Sequence, residues 1–122
     1  MEARNLIVFA IDESYLPHLT SALFSFIQCN DSTKVSVALI HKNIKSSVLK
    51  PIVNFFLLRG LRILSRKVDS FEDYIPVGYH FNDVIFYRLL APELFPDFGK
   101  ILYLDSDILF LEDITNIFDL DL

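Results

Sequence analysis

The sequence has a single cysteine, Cys29, among its 122 residues. Because this thiol has no second cysteine to pair with, a disulfide within the chain is excluded. No secretion signal is recognisable before the first apolar run, so a reducing, cytoplasmic compartment is the predicted location. The thiol itself is most simply a small residue of the core.

Positive charge is also scarce, and it is nowhere concentrated. Lys and Arg number 11 against 16 Asp and Glu, which gives a net charge of −5. Because nucleic-acid binding needs a face rich in Lys and Arg, no nucleic-acid partner is expected. Long apolar runs are missing as well: Leu6 to Ile11 and Ile52 to Leu58 are far shorter than the roughly 20 residues of a membrane span. No transmembrane segment is predicted.

Apolar residues, by contrast, are abundant. They make up 52% of the chain, which includes 12 phenylalanines, and the mean hydropathy is +0.41. No linker, repeat or low-complexity tract divides the sequence, so residues 1–122 are predicted to form one domain. Either its core is large for its size, or some apolar surface is covered by a partner.

Strand-like and helix-like patterns alternate along the chain. Apolar, β-branched runs predict strands at residues 5–11, 34–41, 61–66 and 101–104. Apolar residues at a spacing of about 3.6 predict helices at 15–29, 43–59 and 82–90, the last broken at Pro92, with a loop at 68–78. Gly60 is the predicted end of the second helix. This order indicates an α/β fold with a mostly parallel sheet flanked by helices.

Two carboxylates follow the last predicted strand, which is expected to be central and buried on both faces. Asp105 and Asp107 stand two residues apart, so in an extended chain they lean to the same side. Asp12 follows the first strand. Ligands of open α/β sheets bind beyond the carboxyl ends of the strands, so these three acids are predicted to converge there. Hard oxygen ligands of this kind suit Mg²⁺ or Mn²⁺ together with substrate phosphates.

Two other α/β classes also carry acids at strand ends. A response-regulator receiver needs an Asp after its third strand, where this chain has Ser65 and Arg66, so that class is excluded. A haloacid-dehalogenase-like phosphatase needs Asp-x-Asp on its first strand, with Thr or Val two residues beyond. Here the pair follows the last strand and Leu109 occupies that position, which leaves the phosphatase as a remote alternative.

Four stretches of the chain carry a specific resemblance. They are Ile7 to Tyr15, Ser21 to Ser25, Phe86 to Pro96 and Lys100 to Leu109. Collinearly and along essentially the whole chain, they resemble family 8 glycosyltransferases, which include bacterial lipopolysaccharide galactosyl- and glucosyltransferases and glycogenin. The resemblance implies a Rossmann-like GT-A fold, a UDP-sugar donor, Mn²⁺ or Mg²⁺ as cofactor, and retention of the anomeric configuration.

The resemblance also implies roles for individual residues. Asp105 and Asp107 match the metal-binding Asp-x-Asp. The donor nucleotide sugar is expected to be bound by Ala10, Asp12, Tyr15, Arg88, Asp105 and Ser106. In that set, Tyr15 stacks on the uracil and Arg88 contacts the sugar and diphosphate. Without the resemblance, a helix cap is the alternative role for Asp12, and the simpler interpretations are favoured for the other two: Tyr15 as a rim aromatic and Arg88 as a surface charge on the third helix. No catalytic residue is assigned.

The sequence departs from the family pattern at two points. Glu13 and Ser14 stand where many relatives have Asp-Asn, which remains compatible with donor binding. The late histidine that completes the family's metal shell has no counterpart, because His18, His41 and His80 are all predicted to be surface or loop residues. The chain therefore resembles the N-terminal, donor-binding part of a GT-A domain, apparently truncated.

The expected function of the parent protein is transfer of a hexose from a UDP-sugar to a glycan or lipid-linked glycan acceptor, in lipopolysaccharide or other surface-glycan synthesis. The alternative is a non-catalytic fragment that at most binds UDP-sugar and metal. Apolar residues after the acidic pair also predict self-association through an uncovered surface. These residues are Ile108, Phe110, Ile114, Ile117 and Phe118.

Overall fold

The computed structural model describes residues 5–68 and 90–121. The strands and helices in them are β1 (Asn5–Ala10), α1 (Leu16–Cys29), β2 (Ser36–His41), α2 (Ser46–Leu57), β3 (Arg62–Lys67) and β4 (Lys100–Tyr103). Short 3₁₀ turns cover Glu13–Tyr15, Ser32–Lys34 and Thr115–Asp119, and residues 90–94 are also helical. No helix in these two ranges is long and apolar enough to cross a membrane.

The predicted elements are confirmed to within a few residues wherever they fall inside the described ranges. The predicted loop at 68–78 and most of the predicted helix at 82–90 lie outside them. The predicted break at Pro92 is wrong, because residues 90–94 are helical and include that proline. A proline disturbs the turn that precedes it, and here that turn lies outside the described residues.

The four strands form one sheet in the order β3-β2-β1-β4, and every neighbouring pair is parallel. This confirms the predicted α/β class. The position of β4 differs from the prediction of a central, fully buried strand. It pairs with β1 at the edge of the sheet that the described residues form, and all four of its residues are half-buried. The apolar residues of β4 are only partly covered on each face of the sheet. The fully buried centre of the sheet is formed by β1 and β2.

Alternate residues of β1 enter two separate apolar clusters, one on each face of the sheet. Ile7 and Phe9 belong to the cluster that includes the buried sides of α1 and α2. Leu6 and Val8 belong to the opposite cluster, which the segment at residues 90–95 covers. Because successive side chains of a strand point to opposite faces, a nearly continuous apolar run is what a sheet covered on both faces requires.

The end of α2 depends on Gly60, as the sequence predicted. This residue has a φ of +86°, a left-handed conformation that glycine adopts without steric cost. Its N–H donates to the carbonyl of Leu57 over 3.0 Å, and the N–H of Leu61 donates to the carbonyl of Phe56 over 3.0 Å. Both bonds satisfy carbonyls at the helix end. Pro51 lies inside α2.

The segment after the acidic pair packs on the protein's own core, contrary to the prediction of an uncovered surface. Phe110 and Phe118 are buried, and Ile108 and Ile114 are partly buried against the same cluster. Only Ile117 of the five named residues is among the exposed large apolar side chains. Most of the apolar surface of these five residues is therefore buried within the chain itself. Self-association stays an untested prediction.

The same segment is also fixed by a lysine from the sheet. Lys100, the first residue of β4, donates through Nζ to the carbonyl oxygens of Phe118 and Leu120. A cation close to the last carbonyls of a helical turn is electrostatically favourable. The charge of Lys100 thus ties the final 3₁₀ turn to the beginning of β4.

Candidate functional site: the carboxyl ends of β1 and β4

The sheet changes direction between β1 and β4. The chain first adds β2 and then β3 on one side of β1, and it later returns to place β4 on the other side. In open parallel sheets, such a point opens a crevice beyond the carboxyl ends of the two strands, and ligands bind in it. The residues that follow β1 and β4 are therefore the candidate site.

The acidic pair stands directly beyond β4. The N–H of Leu104 donates to the carbonyl of Val8 over 3.0 Å, so pairing with β1 continues past the end of β4. Extending the register of Val8 with Tyr103 by two residues places Asp105 beside Ala10. Both aspartates of the pair are exposed, whereas Ser106 between them is buried at 7% relative exposure.

The loop after β1 is organised by Asp12. One oxygen of its carboxylate accepts a hydrogen bond from the main-chain N–H of Tyr15 over 3.2 Å, and another from the hydroxyl of Ser14. Asp12 thereby caps the 3₁₀ turn Glu13–Tyr15 that leads into α1. The Tyr15 ring is 46% exposed. Its centroid lies 5.6 Å from that of His18, and the two rings are tilted by 46°.

Of the three acids expected at this crevice, only Asp105 and Asp107 were assigned to the metal, and in the part of the chain that the structure describes the three acids do not form one metal-binding group. Within residues 5–68 and 90–121, no group of three or more His, Cys, Asp or Glu side chains is arranged to hold a metal ion. Asp12 does not join the acidic pair because its carboxylate accepts hydrogen bonds from Ser14 and Tyr15 and caps the 3₁₀ turn. The pair Asp105 and Asp107 still presents two exposed carboxylates. This set fits Mg²⁺ or Mn²⁺, which are often bound by one or two carboxylates together with substrate phosphates.

The structure thus brings most of the predicted donor residues to neighbouring strand ends. Ala10 is the last residue of β1, Asp12 and Tyr15 follow that strand, and the acidic pair follows the strand beside it. Arg88 lies outside the described residues. The binding roles of all these residues stay predictions.

The position of His41 differs from the prediction. This residue was expected at the surface or in a loop, but it is the last residue of β2 and only 4% exposed. Its Nδ1 accepts the main-chain N–H of Ile44 over 3.1 Å. Burial, followed by the positive charge of Lys67, lowers the pKa of His41 from its ordinary 6.5. It also lines a groove of about 600 Å³, and Asp105 and Asp107 are not among the lining residues of that groove.

Two other aspartates serve turns and not the site. The Thr33 hydroxyl and main-chain N–H bind Asp31 and lower the pKa of that carboxyl. The corresponding groups of Thr115 lower the pKa of Asp113 in the same way. Both carboxylates thus stabilise Asp-x-Thr turns.

Sequence reasoning missed three polar side chains, two in α1 and one at its C-cap, that hold the chain after the acidic pair. Ser25, Cys29 and Asn30 form hydrogen bonds with the main chain of residues 110–114. The partners are more than 80 positions apart. No local pattern signals such a contact, because each of these residues is ordinary near the end of an amphipathic helix.

Comparison with known proteins agrees with this arrangement. A family model described as "Glycosyl transferase family 8" matches residues 6–122. General stress protein A of Bacillus subtilis is 29% identical over 120 residues, which are 95% of this chain and 42% of that protein. Glycosyltransferase GlyE of Streptococcus pneumoniae is 26% identical over 125 residues, with 98% of this chain and 29% of that protein covered. The chain thus spans less than half the length of these curated relatives.

A solved structure shows the same fold. The galactosyltransferase LgtC, crystallised with donor and acceptor sugar analogues, matches with a TM-score of 0.71 and 25% identity, over 95% of this chain and 42% of that protein. The parallel four-stranded sheet with flanking helices is accordingly that of GT-A glycosyltransferases. The family match covers nearly the whole chain and includes every described element of the candidate site. The chain belongs to glycosyl transferase family 8.

Proposed function

We propose that the protein transfers a hexose from a UDP-sugar to a glycan or lipid-linked glycan acceptor, with Mn²⁺ or Mg²⁺ as cofactor. The observation that carries this proposal is the position of the exposed pair Asp105 and Asp107 at the sheet's change of direction, beside the loop that presents Asp12 and Tyr15. Family membership supports sugar transfer as the reaction class.

The loop after β1 is suited to hold the uracil base. An exposed tyrosine ring is a stacking platform for a base, because every base has a π-face. Tyr15 has that exposure. The Asp12 carboxylate accepts from Tyr15 and Ser14 and keeps lone pairs for the N–H of a uracil edge. In this proposal, therefore, Tyr15 binds the face of the base and Asp12 its edge.

The pair Asp105 and Asp107 is proposed to hold the divalent cation. When bound, that cation supplies Lewis-acid stabilisation of the charge that grows on the departing UDP. The exposure of both carboxylates leaves room for diphosphate oxygens and water in the same shell. Sugar C1 gains oxocarbenium character as its bond to phosphate stretches. In a retaining reaction, the acceptor hydroxyl enters on the face that UDP leaves.

The biological setting of the proposal is surface-glycan synthesis in the cytoplasm, with lipopolysaccharide as one product class. A haloacid-dehalogenase-like phosphatase is not proposed. The acidic pair follows β4 and not β1, and the family match covers the pair.

The direct test is release of UDP from UDP-glucose and UDP-galactose by the protein in the presence of Mn²⁺. The proposal predicts turnover that EDTA abolishes and that added Mn²⁺ or Mg²⁺ restores. A GDP-sugar is the matched control, because the loop after β1 is proposed to bind uracil. Equal turnover of both nucleotide classes would contradict the UDP assignment.

A second candidate is donor binding without transfer. The observation that favours it is that, within residues 5–68 and 90–121, no third His, Cys, Asp or Glu side chain is grouped with Asp105 and Asp107 to complete a metal site. This candidate predicts Mn²⁺-dependent binding of UDP with no release of UDP from the UDP-sugars. Binding and turnover measured on one sample therefore separate the two.

A further inference from the structure

The segment between β4 and the last 3₁₀ turn is held by side chains of α1 and of Asn30, the residue that caps the end of α1. Residues 104–114 belong to no strand or helix. The N–H of Phe110 donates to the Ser25 hydroxyl oxygen over 2.8 Å, and the N–H of Ile114 donates to Asn30 Oδ1 over 2.7 Å. In the other direction, Cys29 Sγ lies 3.4 Å from the carbonyl oxygen of Phe110. We call Ser25, Cys29 and Asn30 the α1 clamp.

Ser25 is a well-defined acceptor within the clamp. Its hydroxyl donates to the carbonyl of Ala22 over 2.7 Å, so its proton is committed and its lone pairs face the N–H of Phe110. The Asn30 side chain also uses one group as a donor and the other as an acceptor. Its Nδ2 donates to the carbonyls of Phe26 and Glu112 over 3.1 and 3.5 Å, while Oδ1 serves Ile114. Both side chains therefore connect the main chain of α1 to the segment.

Phe110 is the residue that the clamp holds most completely. Its N–H and its carbonyl are both bound by α1. Its ring is 7% exposed and meets the Phe26 ring edge to face, with centroids 5.1 Å apart and planes at 78°. Main chain and side chain are thus fixed together, which leaves Phe110 one position relative to α1.

The acidic pair lies between two anchors. On one side, Leu104 is bonded to Val8 of β1. On the other side, Phe110 is bonded to α1. Only residues 105–109 separate these points, so the direction of both carboxylates depends on where each anchor stands. Binding sites demand ligand positions good to about 0.5 Å, which supporting contacts provide.

We propose that Ser25, assisted by Asn30, is a positioning residue for the metal-binding pair Asp105 and Asp107, through the bond to Phe110. This inference rests on the proposed function, since it concerns how the same site keeps its two carboxylates in place. Ser25 acts through Phe110 and touches neither donor nor metal in the proposal. The clamp makes the metal site depend on α1 as well as on β1 and β4.

The test measures the Mn²⁺ concentration that gives half-maximal UDP binding. Ser25→Ala removes the acceptor of Phe110 N–H, and we expect the required Mn²⁺ concentration to rise about tenfold, as for other outer partners of metal ligands. Ser25→Thr keeps a hydroxyl and should restore the wild-type requirement. Uridine binding in EDTA should not change in either variant, because it does not use the acidic pair.

Thr20→Ala is the matched control on the same helix. The Thr20 hydroxyl donates to the Leu16 carbonyl over 2.8 Å, a bond inside α1 that does not reach the clamped segment. Its loss should leave the Mn²⁺ requirement unchanged. If Ser25→Ala does not fold, Asn30→Ala is measured in its place, and a smaller rise in the Mn²⁺ requirement is expected.

Three results would overturn the positioning role. The first is a folded Ser25→Ala or Asn30→Ala protein with the wild-type Mn²⁺ requirement. The second is an equal loss of Mn²⁺-dependent UDP binding and metal-free uridine binding, which indicates general destabilisation. The third is a wild-type protein with no Mn²⁺-dependent UDP binding. That outcome overturns the proposed function and the positioning role together, whereas the first two leave the proposed function standing.

Discussion

The main-chain N–H of Leu104 donates to the carbonyl oxygen of Val8 over 3.0 Å. This bond carries the pairing of β4 with β1 beyond the end of β4, and it brings Asp105 next to the loop that starts at Asp12. The two halves of the candidate donor site come from distant parts of the sequence. They become neighbours because β1 and β4 are adjacent and parallel.

The first prediction concerns base stacking by Tyr15. Tyr15→Ala should weaken UDP binding about tenfold, since stacking contributes roughly 1–3 kcal/mol per base. Tyr15→Phe keeps the ring and should bind UDP as the wild type does. Titration calorimetry with UDP measures both variants.

The control for that prediction is another exposed aromatic of the same helical region. Phe24 is 44% exposed, close to the 46% of Tyr15, but it does not follow a strand end. Phe24→Ala should leave UDP affinity unchanged. A Tyr15→Ala protein with wild-type affinity would remove Tyr15 from the site.

The second prediction compares a central strand with an edge strand. Leu39→Ala in β2 should lower the free energy of unfolding by about 2–5 kcal/mol, because Leu39 is fully buried. Leu102→Ala in β4 is the same substitution at a half-buried position, and its cost should be smaller, about 1–2 kcal/mol. Urea denaturation measures both. Equal losses would mean that β4 is as deeply buried as the sequence predicted.

The third prediction concerns pH and His41. Burial and the charge of Lys67 lower the pKa of this histidine in the folded protein below its ordinary 6.5. The unfolded chain therefore binds a proton that the folded protein resists, and stability is lost as the pH falls from about 6.5 through the lowered folded value. His41→Gln should make the decline in unfolding free energy between pH 7 and pH 5 shallower.

The exposed His18 offers the control for this pH dependence. His18→Gln should keep the wild-type decline, because that side chain is not buried by the core. Denaturant midpoints at several pH values report the slope for each protein. A wild-type slope in the His41→Gln protein would show that another group causes the decline.

Local pattern was sufficient to predict the elements from β1 to β3. Leu16, Leu19, Leu23 and Phe26 repeat at helical spacing, and all are buried in α1. Gly60 predicted the end of α2 because helices commonly end at a residue with a left-handed backbone conformation, which glycine adopts most easily. The acidic pair was found because its two carboxylates directly follow an apolar run.

Contacts between distant residues could not be predicted in this way. The edge position of β4 depends on which strands pair, and its apolar composition alone resembles that of a central strand. His41 is buried because α2 begins close to the end of β2, so that Ile44 can donate to it. The burial of Phe110 against Phe26 and the bond to Ser25 likewise exist only once α1 and the final segment are packed together.

The most direct test of the central claim is titration of UDP into the wild type and into Asp105→Ala and Asp107→Ala, with Mn²⁺ and with EDTA. We predict Mn²⁺-dependent UDP binding in the wild type and its loss in both variants. Thermal stability should change little, because both side chains are exposed and removing one relieves the repulsion between them. Asp97→Ala, at another exposed acid, should bind as the wild type does. Variants that lose stability yet keep Mn²⁺-dependent UDP binding would contradict the assignment of Asp105 and Asp107 as the metal site.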